Sequence, residues 1–136
     1  MKTKINMTLT QFKVALTKCS GKRIALDTET TGLFWWHDKL TTVGFHCPDA
    51  DIEGSIDFVD DPSTADKVKD IVNTVLGSGT TVIFHNAKFD MFFLGVPADR
   101  KMHEWKIIDT TVLIHLYDSR MPKGMEKAEQ ILLGTN

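Results

Sequence analysis

Two acids stand two residues apart in the segment ALDTET, residues 25 to 30, where an apolar run that begins at Arg23 gives way to polar residues. In extended backbone alternate side chains project to one face, so Asp27 and Glu29 would share it. Like charges that close repel unless something cationic lies between them. Carboxylate oxygen is the ligand that hard divalent ions such as Mg²⁺ and Mn²⁺ prefer. For so short a pattern taken alone, a cation site and a pair of solvated acids at a strand end both stay open. A second signal is HNAKFD, residues 85 to 90. Here a strand gives way to a helix, with Asp90 on the first turn and Asn86 placed to cap it while presenting an amide to a ligand. An acid near a helix start is favoured by the macrodipole without any ligand. The two signals together shift the reading toward a carboxylate site made by Asp27, Glu29 and Asp90.

The elements that must position these groups follow from periodicity. Leu9, Phe12, Ala15, Leu16 and Cys19 recur at helical intervals, which predicts a helix over residues 8 to 19 with Thr8 or Thr10 at its start. Gly21 breaks the pattern, and residues 23 to 27 read as a buried strand. Residues 40 to 47 and 54 to 59 read as an antiparallel pair of strands. Asp61, Pro62 and Ser63 open a helix carried by Ala65, Val68, Ile71, Val72, Val75 and Leu76 and stopped at Gly77 and Gly79. A β-branched strand is expected over residues 80 to 86, then a short helix over 87 to 94 closed at Gly95 and Pro97. A last strand over 106 to 109 runs into a helix over 110 to 117 that Asp109 would cap, and a final helix spans 125 to 134. The alternation implies an α/β fold around a mixed sheet.

Composition sets the frame. The 136 residues, 42% apolar and 25% charged, suit a single domain over 1–136, with an N-terminal helix at 8–19 and a core at 22–134. Sixteen basic against eighteen acidic residues leave a net charge of -2, which excludes holding nucleic acid by bulk phosphate attraction. Any such contact must be local. Cys19 and Cys47 lack metal-type spacing and suit a reduced compartment, with no disulfide expected. No segment reads as a signal peptide or approaches the roughly 20 apolar residues that span a bilayer, so a soluble cytoplasmic protein without a membrane partner is expected.

The motifs ALDTETTGL at 25 to 33 and HNAKFDMFFL at 85 to 94 resemble the first and second motifs of the DEDD superfamily of 3′ to 5′ exonucleases. IIDTTVLIHLYDS at 107 to 119, followed by KGMEKAEQILLG at 123 to 134, is similar to the order found in the proofreading exonuclease domain of family A DNA polymerases. The resemblance covers residues 22 to 134. It implies a ribonuclease H-like fold, an antiparallel meander followed by parallel strands, flanked by helices and shortened at its C-terminal end relative to the family. It also implies that Asp27, Glu29 and Asp90 are catalytic metal ligands for Mg²⁺ or Mn²⁺. In two-metal chemistry one ion activates a water for in-line attack on the terminal phosphodiester and the other stabilises the leaving 3′ oxygen. By the same resemblance Thr30, Gly32 and Leu33 would lie against the terminal nucleotide, Leu33 against its base, while Asn86, with His85 beside it, would position the scissile phosphate. The implied substrate is a single-stranded DNA 3′ end, released as nucleoside monophosphates, with RNA trimming as the alternative.

One family feature does not appear. The superfamily carries a third motif, H-x4-D or Y-x3-D, that supplies a fourth carboxylate. Downstream of Asp90, His103 and Asp109, His115 and Asp118, and Tyr117 and Met121 all fail that spacing; His85 with Asp90 and His46 with Asp51 satisfy it but lie in the wrong places. Two ions would then have incomplete coordination. Three explanations are expected: a fragment of a longer polymerase or exonuclease, half of an enzyme completed by another polypeptide, or a module that binds nucleic acid or a partner without cutting. An apolar sheet face left uncovered would favour dimerisation or poor solubility. Phe34, Trp35 and Trp36 directly follow the first motif; stacking on unpaired bases and a loop folded onto the core both account for them. Lys88 reads as a phosphate contact or a solvated helix lysine, His37, His103 and His115 show no ligand spacing, and Phe89, Phe92 and Phe93 read as core.

Overall fold

A computed structural model describes residues 2–95 and 106–134. Pro97 and His103, which figure in the sequence reading, lie outside the described residues. The described strands are β1 (Lys2–Lys4), β2 (Arg23–Thr30), β3 (Leu40–Cys47), β4 (Ile52–Asp57), β5 (Thr81–Phe84) and β6 (Lys106–Asp109). The helices are α1 (Leu9–Thr17), α2 (Ala65–Leu76), α3 (Ala87–Phe93), α4 (Thr110–Tyr117) and α5 (Met125–Leu133). One sheet takes the order β1-β4-β3-β2-β5-β6. The β2–β3 and β3–β4 pairs are antiparallel, whereas β2–β5 and β5–β6 are parallel, so β2 joins the meander to the parallel half. This is the mixed, helix-flanked sheet expected.

β4 starts and ends two residues earlier than the expected 54 to 59, β5 is shorter than the expected 80 to 86, and β1 and β2 depart further. β1 escaped the sequence reading because Lys-Thr-Lys carries no apolar signal; its order comes from parallel pairing with β4, Thr3 opposite Glu53. Close approach there needs Gly54, whose missing Cβ would otherwise strike Met7 and the Lys4 carbonyl. β2 runs on to Thr30, beyond the apolar run, because β3 continues to pair with it as far as Leu40 opposite Thr30, with a register shift between Glu29 and Thr30. The two acids therefore lie inside the central strand and not beyond its end.

The core occupies one side of the sheet. Thr8 caps α1 as half of a capping box, its hydroxyl accepting from the Gln11 amide while the Gln11 side chain accepts from the Thr8 amide. α1 buries Phe12, Ala15 and Leu16, and α2 buries Val68, Val72, Val75 and Leu76. Phe12 meets Phe45 edge to face, with ring centroids 5.9 Å apart. Cys19 and Cys47 are free and fully buried, and burial, with the Cys47 thiol alongside, pushes the Cys19 thiol up to about 12. The opposite side is thinly covered. α4 buries none of its side chains and α5 only Ala128, so Leu113, Leu116, Tyr117, Ile131 and Leu133 stand exposed. Among the described residues no helix is long and apolar enough to cross a membrane.

Asp109 fastens two helices at once. Its carboxylate accepts from Thr111 N (2.9 Å), capping α4 as its sequence position implied, and from Asn86 N (3.1 Å) and Ala87 N (2.9 Å) at the start of α3. Asn86, expected to cap α3, makes no side-chain cap bond; it stands at the N-cap in the left-handed region, φ 66° and ψ 62°, which Asn tolerates better than most residues. Each cap contributes about 1 kcal/mol. Replacing Asp109 by Ala should therefore lower stability by about 2 kcal/mol, read as a shifted denaturant midpoint. An unchanged midpoint would contradict the double-cap role.

Candidate active site

β2 alternates strictly. Ile24, Leu26 and Thr28 are buried, while Asp27 and Glu29, alternating with them, are exposed. Asp90 comes to the buried side from α3, is only 3% exposed, and its Oδ1 accepts the Thr28 hydroxyl at 2.5 Å. Desolvation by burial pushes the Asp90 carboxyl up to about 7, the Thr28 bond opposes this, and the charges of Asp27 and Asp109 add to it. Partial burial also works against the Asp109 carboxylate, but the amides of Ala87, Asn86, Thr111 and Val112 outweigh it and hold that group below the ordinary carboxylate value.

The three carboxylates expected to share a cation are thus not gathered. Asp27 and Glu29 are exposed, and the buried Asp90 is hydrogen-bonded to Thr28. Among the described residues no group of three His, Cys, Asp or Glu side chains is placed to hold a metal ion. Mg²⁺ demands near-octahedral oxygen coordination, so this arrangement does not fit the ion as a closed site. The sequence reading overlooked Thr28, although the same alternation that pairs Asp27 with Glu29 places the residue between them opposite.

The residues expected near a terminal nucleotide are placed as follows. The Thr30 hydroxyl donates to the Gly32 carbonyl at 2.6 Å, and Leu33 is 75% exposed. A Cβ at Gly32 would displace the Asp38 carboxylate from its place in the loop. His85 is occupied at both ring nitrogens: Nε2 donates to the Lys123 carbonyl at 2.7 Å and Nδ1 pairs with the Thr110 hydroxyl at 2.8 Å. It thereby ties β5 to α4 and to the segment before α5. Asn86 is exposed. Phe93 is buried and Phe89 packs against the core, as expected, but Phe92 is turned outward and stacks on Trp35.

The family model described as 3'-5' exonuclease matches residues 3–120, most of the chain. Among curated protein sequences none matches significantly. Solved structures of similar fold include the catalytic core of RRP6 from Trypanosoma brucei, at 15% identity and TM-score 0.71, covering 99% of this chain and 35% of that one. NrnC from Brucella melitensis is similar at 20% identity and TM-score 0.68, covering 99% of this chain and 61% of that one. RNase D of Trypanosoma brucei is similar at 17% identity and TM-score 0.71, with 98% and 48% covered. The chain thus spans less than two thirds of the length of each of these proteins, and at such identities the likeness is one of fold. With a family model matched from the first strand through α4, on a sheet whose central strand carries the Asp27 and Glu29 pair, the chain belongs to the 3'-5' exonuclease family of the ribonuclease H-like DEDD superfamily.

Proposed function

We propose that this chain is an exonuclease-fold module that binds the 3′ end of single-stranded nucleic acid and does not cut it unaided. The observation that carries this reading is Asp90, buried and hydrogen-bonded to Thr28, with no group of three acids placed to hold a metal ion among the described residues. Asp27 and Glu29 would be the side chains open to a cation, Asp90 being held by Thr28. Support for a nucleic-acid end comes from Brucella melitensis NrnC, which has been solved bound to pGG and, separately, with bound Mg2+. In this chain Thr30, Gly32 and Leu33 would receive the terminal nucleotide, Leu33 being open to its base, with His85 and Asn86 on the phosphate side. A complementing polypeptide, such as a polymerase domain or a separate fragment, would supply the further carboxylate. The exposed apolar residues of α4 and α5 form the surface such a polypeptide would cover. Completed in this way, the module would act as a proofreading-type DNA exonuclease; deoxyribo- and ribo-oligonucleotides tested side by side decide the sugar preference.

The test is incubation of the chain with 3′-labelled single-stranded oligonucleotide and Mn²⁺, beside the Asp27→Ala variant. The expected result is retained binding with no mononucleotide released by either protein. Mn²⁺-dependent release that disappears in Asp27→Ala would overturn the non-cutting reading in favour of an independent exonuclease.

The Asp90 carboxyl gives a second check. Its value in the folded chain, about 7, lies above the unfolded value near 3.9, so between these limits the native state binds the extra proton and stability falls as pH rises. Asp90→Asn removes that titration. It should raise stability relative to the parent by on the order of 1–3 kcal/mol at about pH 8, with the gain shrinking toward about pH 4. A difference in melting temperature that does not change with pH would contradict the burial of a titrating Asp90.

A further inference from the structure

The loop after β2 carries a feature that the exonuclease reading does not use. The loop over residues 31 to 39 is closed by its own hydrogen bonds: Thr31 N donates to the Lys39 carbonyl at 2.9 Å and Lys39 N to the Thr31 hydroxyl at 2.9 Å. Inside it the Asp38 carboxylate accepts from Phe34 N at 2.9 Å, and the Phe34 carbonyl accepts from the amides of His37 and Asp38. That framework holds aromatic rings outward. Phe34 is 54% exposed, Trp35 49% and Trp36 69%. Phe92, reaching over from α3 and itself 43% exposed, backs Trp35 in a parallel stack at 5.1 Å and 11°. Exposed large aromatics normally fold onto the core to bury area; here the loop is braced in a form that prevents it.

Trp35 and Phe92 line a groove of about 350 Å³ whose walls include Lys39 and Lys69. Neither lysine forms an ion pair among the described residues, and Asp38, the acid on the same groove, has its oxygens turned into the loop. Flat rings with two uncompensated cations beside them complement a base and its phosphates. An apolar protein surface would use the rings but leave both ammonium groups unanswered. In a chain of net charge -2 this is the local attraction that bulk composition does not provide.

We infer that the Trp35–Phe92 stack, with Lys39 and Lys69, is a binding site for an unpaired nucleotide upstream of the 3′ end, its base adding to the aromatic stack and its phosphate meeting the lysines. This rests on the nucleic-acid reading above and adds a second nucleotide position to it, on the loop that follows Leu33 directly. Because the rings are already braced, little ordering is required when the base arrives.

The experiment measures anisotropy of a labelled single-stranded deoxythymidine oligonucleotide, and of an abasic strand of equal length, in EDTA so that hydrolysis plays no part. The parent should bind the base-bearing strand more tightly than the abasic one. Trp35→Ala and Phe92→Ala should each weaken the base-bearing strand roughly 5- to 100-fold, the range for loss of one base stack, and leave the abasic strand unchanged. Trp35→Phe should recover most of the loss, and Lys39→Gln with Lys69→Gln should weaken both strands. Equal binding of the two strands by the parent, or alanine variants that bind like the parent, overturns this site while leaving the exonuclease-fold reading intact. No binding of either strand overturns both. Base-dependent binding together with metal-dependent cutting in the earlier assay overturns only the non-cutting reading. Self-association in sedimentation that Trp35→Ala abolishes, with oligonucleotide binding unaffected, would assign the rings to a protein contact and overturn the site.

Discussion

The strict alternation of side chains along β2 is the constraint on which the rest of the site depends. The strand is paired on both edges, antiparallel to β3 and parallel to β5, so it cannot rotate to choose which residues face the core. Ile24 and Leu26 must face the core, and Thr28 goes with them, which leaves Asp27 and Glu29 together in solvent. A buried hydroxyl then needs a partner, and Asp90 supplies it. One geometric rule thus creates the pair of outward acids and also places the hydroxyl that engages the third acid.

Much of this architecture was legible in the sequence because apolar periodicity and Gly or Pro breaks encode it directly. The spans of β3, β6 and α4 follow from local pattern alone. What local pattern could not show depends on partners distant in sequence. β1 is three polar residues ordered only by β4, the last residues of β2 are extended only because β3 lies alongside, and Asp109 reaches back across more than twenty residues to α3. Asn86 was misread for the same reason: its position suited a cap, but a stronger acceptor from another element had taken the amides. Phe92 has helical spacing with Phe89, which suggested the core, yet α3 has two sides and Trp35 offers its ring a partner on the outer one.

The candidate site itself was legible as a list of residues and not as an assembly. Asp27, Glu29 and Asp90 have the types and spacing of a metal-carboxylate set, and motif spacing reports which residues lie near one another. It does not report rotamers or hydrogen-bond partners. The commitment of Asp90 to Thr28, and of both His85 ring nitrogens to Thr110 and Lys123, are choices made among competing partners after the chain is folded. Net charge is informative in a different way: with bulk attraction excluded, local cations must supply it, and Lys39 and Lys69 stand beside exposed rings.

The paired thiols of the core have a practical consequence. Cys19 and Cys47 are the two cysteines of the chain, both fully enclosed, and burial holds the Cys19 thiol in its unreactive protonated form. A cysteine introduced on the surface, for instance on the exposed aromatic loop, would therefore be the one thiol that an alkylating reagent reaches while the chain is folded. The protein is in effect already a cysteine-silent scaffold, ready to carry a single optical or spin label without removal of its native sulfur.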